Sequence, residues 1–165
     1  MDGTAVLKAS LDMGQQWLMA LVADVHDAPT TFPTPRGGNH PLWVLGHIAH
    51  SEASLVAEFV LGEANPLAKW DALFGMGSQP VADATAYPSF DEVLAEFQQA
   101  RARTLAVLDT QTDATLSAPS KAPAEGQEMF GTIGKCLAGA VLHAAFHTGQ
   151  IADARRAMGK APVFG

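Results

Sequence analysis

Two histidines near the carboxyl end of the chain, His143 and His147, are four residues apart. In a helix this spacing places both imidazoles on one face, one turn apart. Two nitrogens in that arrangement can bind the same divalent metal ion at bonds of about 2 Å. A second apolar segment, residues 43–50, contains His47 and His50, and either of them could supply a third ligand. The pattern therefore predicts a metal site built from three histidines.

The alternative is that these histidines are structural. His143 and His147 lie on a helical stripe of otherwise apolar residues, and a buried imidazole can be satisfied by a backbone or side-chain hydrogen bond instead of a metal. If a metal is bound, three neutral imidazoles leave its charge uncompensated and a coordination position open, which is the catalytic pattern. Zinc or nickel is the first expectation for this ligand set, and iron or manganese could also occupy it.

Four segments with helical periodicity must position these residues. They cover about residues 4–25, 40–62, 89–109 and 132–158, and none of comparable length alternates like a strand. A turn-rich stretch, residues 29–39, ends the first segment, while long connections, residues 63–88 and 110–130, follow the second and third. The sequence therefore predicts an all-α, four-helix-bundle fold in a single domain over residues 1–165.

Composition limits the classes of function. The chain is 48% hydrophobic and 16% charged, and it carries a net charge of −7 with no dense basic cluster, which argues against nucleic acid as a partner. Its one cysteine, Cys136, indicates a reducing compartment and reads as a small core residue. We find no secretory signal and no membrane-spanning run, so a cytoplasmic location is expected. Serine-hydrolase, P-loop and Rossmann motifs are also absent from the sequence.

The segment Gly46-His47-Ile48-Ala49, the run His143-xxx-His147-xx-Gln150-Ile151 and the pair Arg155-Arg156 resemble the DinB/YfiT-like superfamily of metalloenzymes. The resemblance covers almost the whole chain. It implies a four-helix bundle with up-down-down-up connectivity, often as a homodimer, and a divalent metal held by His47, His143 and His147. Relatives include transferases and isomerases that use a low-molecular-weight thiol, and some hydrolases. The resemblance therefore implies a small-molecule substrate and no binding to DNA.

Five further residues are candidates for a role at this site. Glu52 could act as a general base or orient His47, although a solvated carboxylate is an equal alternative. Gln150 could contact a metal-bound water or simply bridge helices, and His50 could replace or assist His47. Arg155 could clamp a carboxylate of a thiol cofactor, or only complement the helix dipole. Trp70, on the long loop, could line a substrate pocket.

Three functions remain open at this point. The first is a metal-dependent thiol S-transferase in which the metal lowers the pKa of a bound thiol. The second is a hydrolase that uses metal-activated water. The third is a non-catalytic, stress-related binding module whose histidines are structural.

Overall fold

The computed structural model describes residues 2–164, and within this range no strand forms. In chain order the helices are α1 (Gly3–Val22), α2 (Pro41–Ser54), α3 (Asp71–Phe74), α4 (Phe90–Asp109), α5 (Asp113–Leu116), α6 (Gln127–Phe130) and α7 (Ile133–Ala157). Helix α2 continues without interruption into a π-helical segment, Leu55–Leu61. The long helices α1, α2, α4 and α7 form the bundle, and the short ones lie in its connections. The all-α prediction is therefore confirmed.

Local chemistry sets the helix ends. The side chain of Ser89 accepts from the N–H of Glu92 at the start of α4, and Thr132 does the same for α7, so each satisfies a backbone donor that the helix leaves unpaired. The helical run that begins with α2 ends at Gly62, with a left-handed φ of 70°, and Gly159 with φ of 74° follows α7. These ends agree with the positions expected from the sequence to within a few residues.

Two groups of buried side chains show the direction of each helix. At one end of the bundle lie Leu11, Val56, Leu108 and Leu137. At the other end lie Leu21, Leu45, Val93 and Ile151. Helices α1 and α7 therefore begin at the same end, whereas α2 and α4 begin at the opposite end, which confirms the up-down-down-up connectivity. Because α2 and α4 are parallel neighbours, a long connection must return the chain from the end of one to the start of the other.

A buried ion pair joins three of the helices. Arg101 on α4 donates to both carboxylate oxygens of Glu52 on α2, at 2.7 and 2.8 Å, and both side chains are only 2% exposed. The same guanidinium donates to the carbonyl of Leu11 on α1 at 2.7 Å. This arrangement satisfies a charge that would otherwise be costly to bury.

Helix α7 has 25 residues and is the longest in the protein. Its middle, residues 136–152, contains no charged residue. Even so, among the described residues every helix is too short or too polar to cross a lipid bilayer.

Candidate metal centre

The structure brings three histidines together between α2 and α7. His47 comes from α2, while His143 and His147 come from adjacent turns of α7. The Nε2 atoms of His47 and His143 lie 3.1 Å apart, and one ligand atom from each of the three residues lies within 4.8 Å of the others. Two metal–nitrogen bonds of about 2.0–2.1 Å readily join nitrogens 3.1 Å apart. The donor set and its spacing are therefore compatible with a divalent metal.

Hydrogen bonds set the tautomers of two of these rings. His47 Nδ1 lies 2.7 Å from the carbonyl oxygen of Phe74, and His147 Nδ1 lies 2.9 Å from Oε1 of Gln150. The Gln150 oxygen also accepts from Nδ2 of Asn39 at 3.0 Å, which orients the amide. Because both partners are acceptors, each Nδ1 carries the proton and each Nε2 keeps its lone pair for a metal.

Burial keeps the cluster uncharged. Burial lowers the pKa of His47 and of His147, and it lowers the pKa of His143 to about 4, with the neighbouring imidazoles adding to the shift for His143. The folded protein therefore presents neutral imidazoles near neutral pH. Neutral imidazole is the form that binds a metal.

The α2 side of the cluster depends on a close contact at Gly46. The ring of Phe74 lies so near that a Cβ at position 46 would come within 2.4 Å of its Cε1 atom. This approach brings the Phe74 carbonyl to His47. The indole of Trp43 stacks on a face of the His47 ring at 4.6 Å and 13°, and its Nε1 donates to Oγ of Ser78 at 3.2 Å. The segment 74–78 thus holds His47 directly and through Trp43.

His40 anchors the next part of the same loop. Its Nδ1 accepts from the N–H of Trp43 at the start of α2, and its Nε2 donates to the carbonyl of Val81 at 3.0 Å. The hydroxyl of Tyr87 in turn accepts from the Val81 N–H at 2.8 Å. A side chain that caps α2 therefore also fixes the loop beside the histidine cluster.

A family model of the DinB superfamily matches residues 10–151. The chain belongs to the DinB superfamily. The matched range begins in α1, ends in α7 and includes all three histidines of the cluster, so the resemblance inferred from the sequence is confirmed. A search of curated proteins finds no match to the chain. Membership of the DinB superfamily, together with the histidine cluster, suggests that this protein binds a divalent metal.

In this DinB-superfamily protein His50 lies apart from the cluster. Its Nε2 donates to Oδ1 of Asp71 at 2.6 Å, and the amide of Asn65 packs beside it. Asp71 is the first residue of α3, and Phe74, which accepts from His47, is the last. The resemblance implied His47 as the third ligand and kept His50 as a residue that could replace or assist it; the structure places His47 beside α7, while His50 holds the turn that carries Phe74.

Two charged candidates are held in ion pairs within the chain. Both oxygens of Glu52 bind Arg101, and at about 100° per residue Glu52 lies about 140° around the helix from His47. Glu52 therefore does not orient His47, and its carboxylate is engaged elsewhere. Arg155 clamps a carboxylate, as its side chain suggested, but the carboxylate belongs to Asp24, with both bonds at 2.9 Å. Because its guanidinium is already paired with Asp24, Arg155 is not free to bind a carboxylate of a cofactor.

Trp70 and Cys136 belong to the core. Trp70 is buried, and its ring meets that of Phe74 edge to face at 5.3 Å, so it supports the residue that contacts His47 instead of lining a pocket. Cys136 is buried as expected, and burial raises the pKa of its thiol. A thiol in this environment is a poor nucleophile.

Several residues that shape the site were not found from the sequence. The contribution of Phe74 is a backbone carbonyl, which no side-chain pattern reveals. Asn39 lies in a turn-rich stretch, where an asparagine has an ordinary explanation. Two signals were present in the sequence. Trp43 lies one turn before His47, on the same side of the helix. Gly46 lies inside a helix of apolar residues, where an isolated glycine indicates a packing constraint.

Proposed function

We propose that this protein binds one divalent metal ion through His47, His143 and His147. The observation that carries the proposal is the approach of two Nε2 atoms to 3.1 Å in a cluster of three neutral imidazoles. In two of the rings the Nδ1–H group donates a hydrogen bond to an oxygen, as the second ring nitrogen of a metal-binding histidine typically does. Zinc or nickel is the first expectation for three imidazole donors, with iron or manganese as further candidates.

We further propose that the site serves a thiol S-transferase that uses a low-molecular-weight thiol. When bound, a divalent cation with open positions lowers the pKa of a thiol or water molecule beside it. A thiol becomes a strong nucleophile as soon as its proton is lost, whereas hydrolysis commonly also needs a general acid or base. Of the acid–base candidates, Glu52 is bound to Arg101 and His50 to Asp71. This engagement favours the thiol over water as the nucleophile.

The chain's own residues then have defined tasks. Phe74 and Gln150 hold the Nδ1 protons of His47 and His147, which keeps both Nε2 atoms directed at the shared site. Trp43 shields one face of the His47 ring from water. The substrate and thiol would reach the site from the side of His143, the most exposed of the three histidines.

Elemental mass spectrometry of untagged protein tests the metal proposal. We expect about one equivalent of metal in the native protein and almost none in the His143→Ala variant. His26→Ala is the matched control, because His26 is exposed, pairs with Asp91 and lies outside the cluster. A native protein that is folded, metal-free and unable to bind zinc, nickel, iron or manganese would refute the proposal and favour a structural role for the histidines.

Titration of a low-molecular-weight thiol separates the two enzymatic functions. With the metal-loaded protein in excess, the thiolate absorbance should appear at lower pH than for the free thiol, and the His143→Ala variant should abolish this shift. A protein that binds metal but leaves the thiol pKa unchanged would contradict the transferase and favour a hydrolase.

A further inference from the structure

A cavity apart from the histidine cluster lies between the end of α2, the connection that follows it and α4. Its volume is about 190 Å³, and it is open to solvent on one side. Three buried apolar residues, Ala53, Leu67 and Ala100, form part of its wall. An apolar cavity of about 150 Å³ is enough to hold a benzene molecule. This cavity is therefore large enough for a small ligand with an apolar body.

Helix α4 supplies the polar side of the cavity. Its contributions are Glu96, Gln99 and Arg103, which follow one another at intervals of three and four residues and so share one face of the helix. Glu96 and Arg103 are two turns apart, about 10.5 Å along the helix axis. The cavity thus has a carboxylate toward one end, an amide between, and a guanidinium toward the other end.

We propose that this cavity binds a small zwitterion, an α-amino acid with an apolar side chain. The ammonium of the ligand donates to the carboxylate of Glu96, and its carboxylate accepts from the guanidinium of Arg103. The apolar side chain of the ligand packs on the wall formed by Ala53, Leu67 and Ala100. A simple anion would meet the Glu96 carboxylate and a simple cation the Arg103 guanidinium, whereas a zwitterion complements both charges.

Both charged groups are available to a ligand. Glu96 is contacted by the exposed ammonium of Lys69 at 3.5 Å, and one guanidinium nitrogen of Arg103 pairs with the exposed carboxylate of Glu63. Exposed ion pairs of this kind contribute little stability, and the other guanidinium nitrogens of Arg103 remain for a second carboxylate. Arg155 differs, because all three of its guanidinium nitrogens donate within the chain.

The two ion pairs also show how the cavity is framed. The connection after α2 runs antiparallel to α4, so that Glu63 lies beside Arg103 and Lys69 lies beside Glu96. Pro66 and Leu67, between the two pairs along the chain, contribute to the wall. An ammonium bound at Glu96 and a carboxylate bound at Arg103 would therefore lie between two fixed ends of the connection.

Isothermal titration calorimetry of chelator-treated protein tests the proposal. Metal is removed first because a free amino acid can itself bind a metal ion at the histidine cluster. The probes are valine, leucine, isoleucine, methionine and phenylalanine, and we expect saturable binding of at least one. Its amide, which lacks the carboxylate, and its N-acetyl derivative, which lacks the ammonium, should each bind at least about 10-fold more weakly, because each loses one charged contact.

Two variants assign the ends of the ligand. Glu96→Gln and Arg103→Gln should each weaken binding of the amino acid by about 10- to 100-fold. Glu92→Gln and Arg156→Gln are the matched controls, since both residues are exposed and lie outside the cavity. Binding of the amide should be insensitive to Arg103→Gln, and binding of the N-acetyl derivative should be insensitive to Glu96→Gln. Circular dichroism melts establish that each variant is folded.

Three results would overturn the proposal. They are the absence of saturable binding by all five amino acids, an amide that binds as tightly as the amino acid, and binding that neither Glu96→Gln nor Arg103→Gln weakens. Because the protein in this experiment carries no metal, such a failure would leave the proposed metal site unaffected.

Discussion

Replacing Gly46 with alanine perturbs the contact that brings the Phe74 carbonyl to His47. The added Cβ would lie 2.4, 2.5 and 2.6 Å from three atoms of the Phe74 ring. Carbon atoms in contact are normally about 3.5–4.0 Å apart, so the ring would have to move by about 1 Å. Phe74 is fully buried between the rings of Trp70 and Tyr87, which leave it little room.

The expected effect has two parts of opposite sign. Overpacking of a core costs about 1–3 kcal/mol, and the upper value applies here because three atoms clash with a fully buried ring. Alanine regains about 1 kcal/mol over glycine within a helix. We therefore expect Gly46→Ala to lower the free energy of unfolding by about 2 kcal/mol. Because the carbonyl bound to His47 must shift with the ring, metal affinity should also fall by about 10- to 100-fold.

Urea denaturation of chelator-treated protein measures the stability, and competition with a chromophoric chelator measures the metal affinity. Gly14→Ala is the control, since Gly14 lies within α1 and a Cβ there would meet nothing within 4 Å. It should stabilise the protein by up to about 1 kcal/mol. In a Phe74→Ala background, Gly46→Ala should become stabilising, because the clashing ring is gone. A Gly46→Ala variant as stable as the control, with native metal affinity, would refute this reasoning.

Three further predictions concern single contacts. Gln150→Leu removes the acceptor of His147 Nδ1, so metal affinity in the same competition assay should fall about 10- to 100-fold while the fold is retained. Arg101→Met leaves the Glu52 carboxylate buried and unpaired, and urea denaturation should show a loss of about 3–5 kcal/mol, smaller when Glu52→Gln is added. The lowered pKa of His143 predicts that metal-free protein loses stability as pH falls from 6.5 to about 4, since the unfolded chain binds that proton first; His143→Leu should flatten this slope.

Local features of the fold could be predicted from the sequence because their causes are local. A helix commonly ends at a residue whose backbone adopts the left-handed conformation, and glycine at positions 62 and 159 adopts it without steric cost. The hydroxyls of Ser89 and Thr132 pair with backbone N–H groups three residues ahead, within their own turn. The spacing of His143 and His147 is likewise a property of one helix.

Partners from other elements could not be predicted in this way. Glu52 and His50 have the residue types of acid–base groups, but each is bound by a residue distant in sequence, Arg101 and Asp71 respectively. Arg155 was identified as a carboxylate clamp, yet only the packing of α7 on α1 shows that the carboxylate is that of Asp24. The identity of each partner depends on how the helices pack, which a one-dimensional pattern does not contain.

The sequence alone determined the fold class and the pair of histidines on α7, because periodicity, capping residues and an i, i+4 spacing act within a single helix. The family followed from the resemblance of its motifs, which the family model matches over residues 10–151. The residue pattern by itself did not distinguish His47 from His50, although the resemblance to the family implied His47. Only the tertiary structure decided that His47 lies with the two histidines of α7 and that His50 does not. Both residues lie on a helix whose first ten residues are all buried, so burial does not distinguish them. The packing of α2 against α7 turns one imidazole toward the other two, and the close approach of Phe74 at Gly46 holds it there.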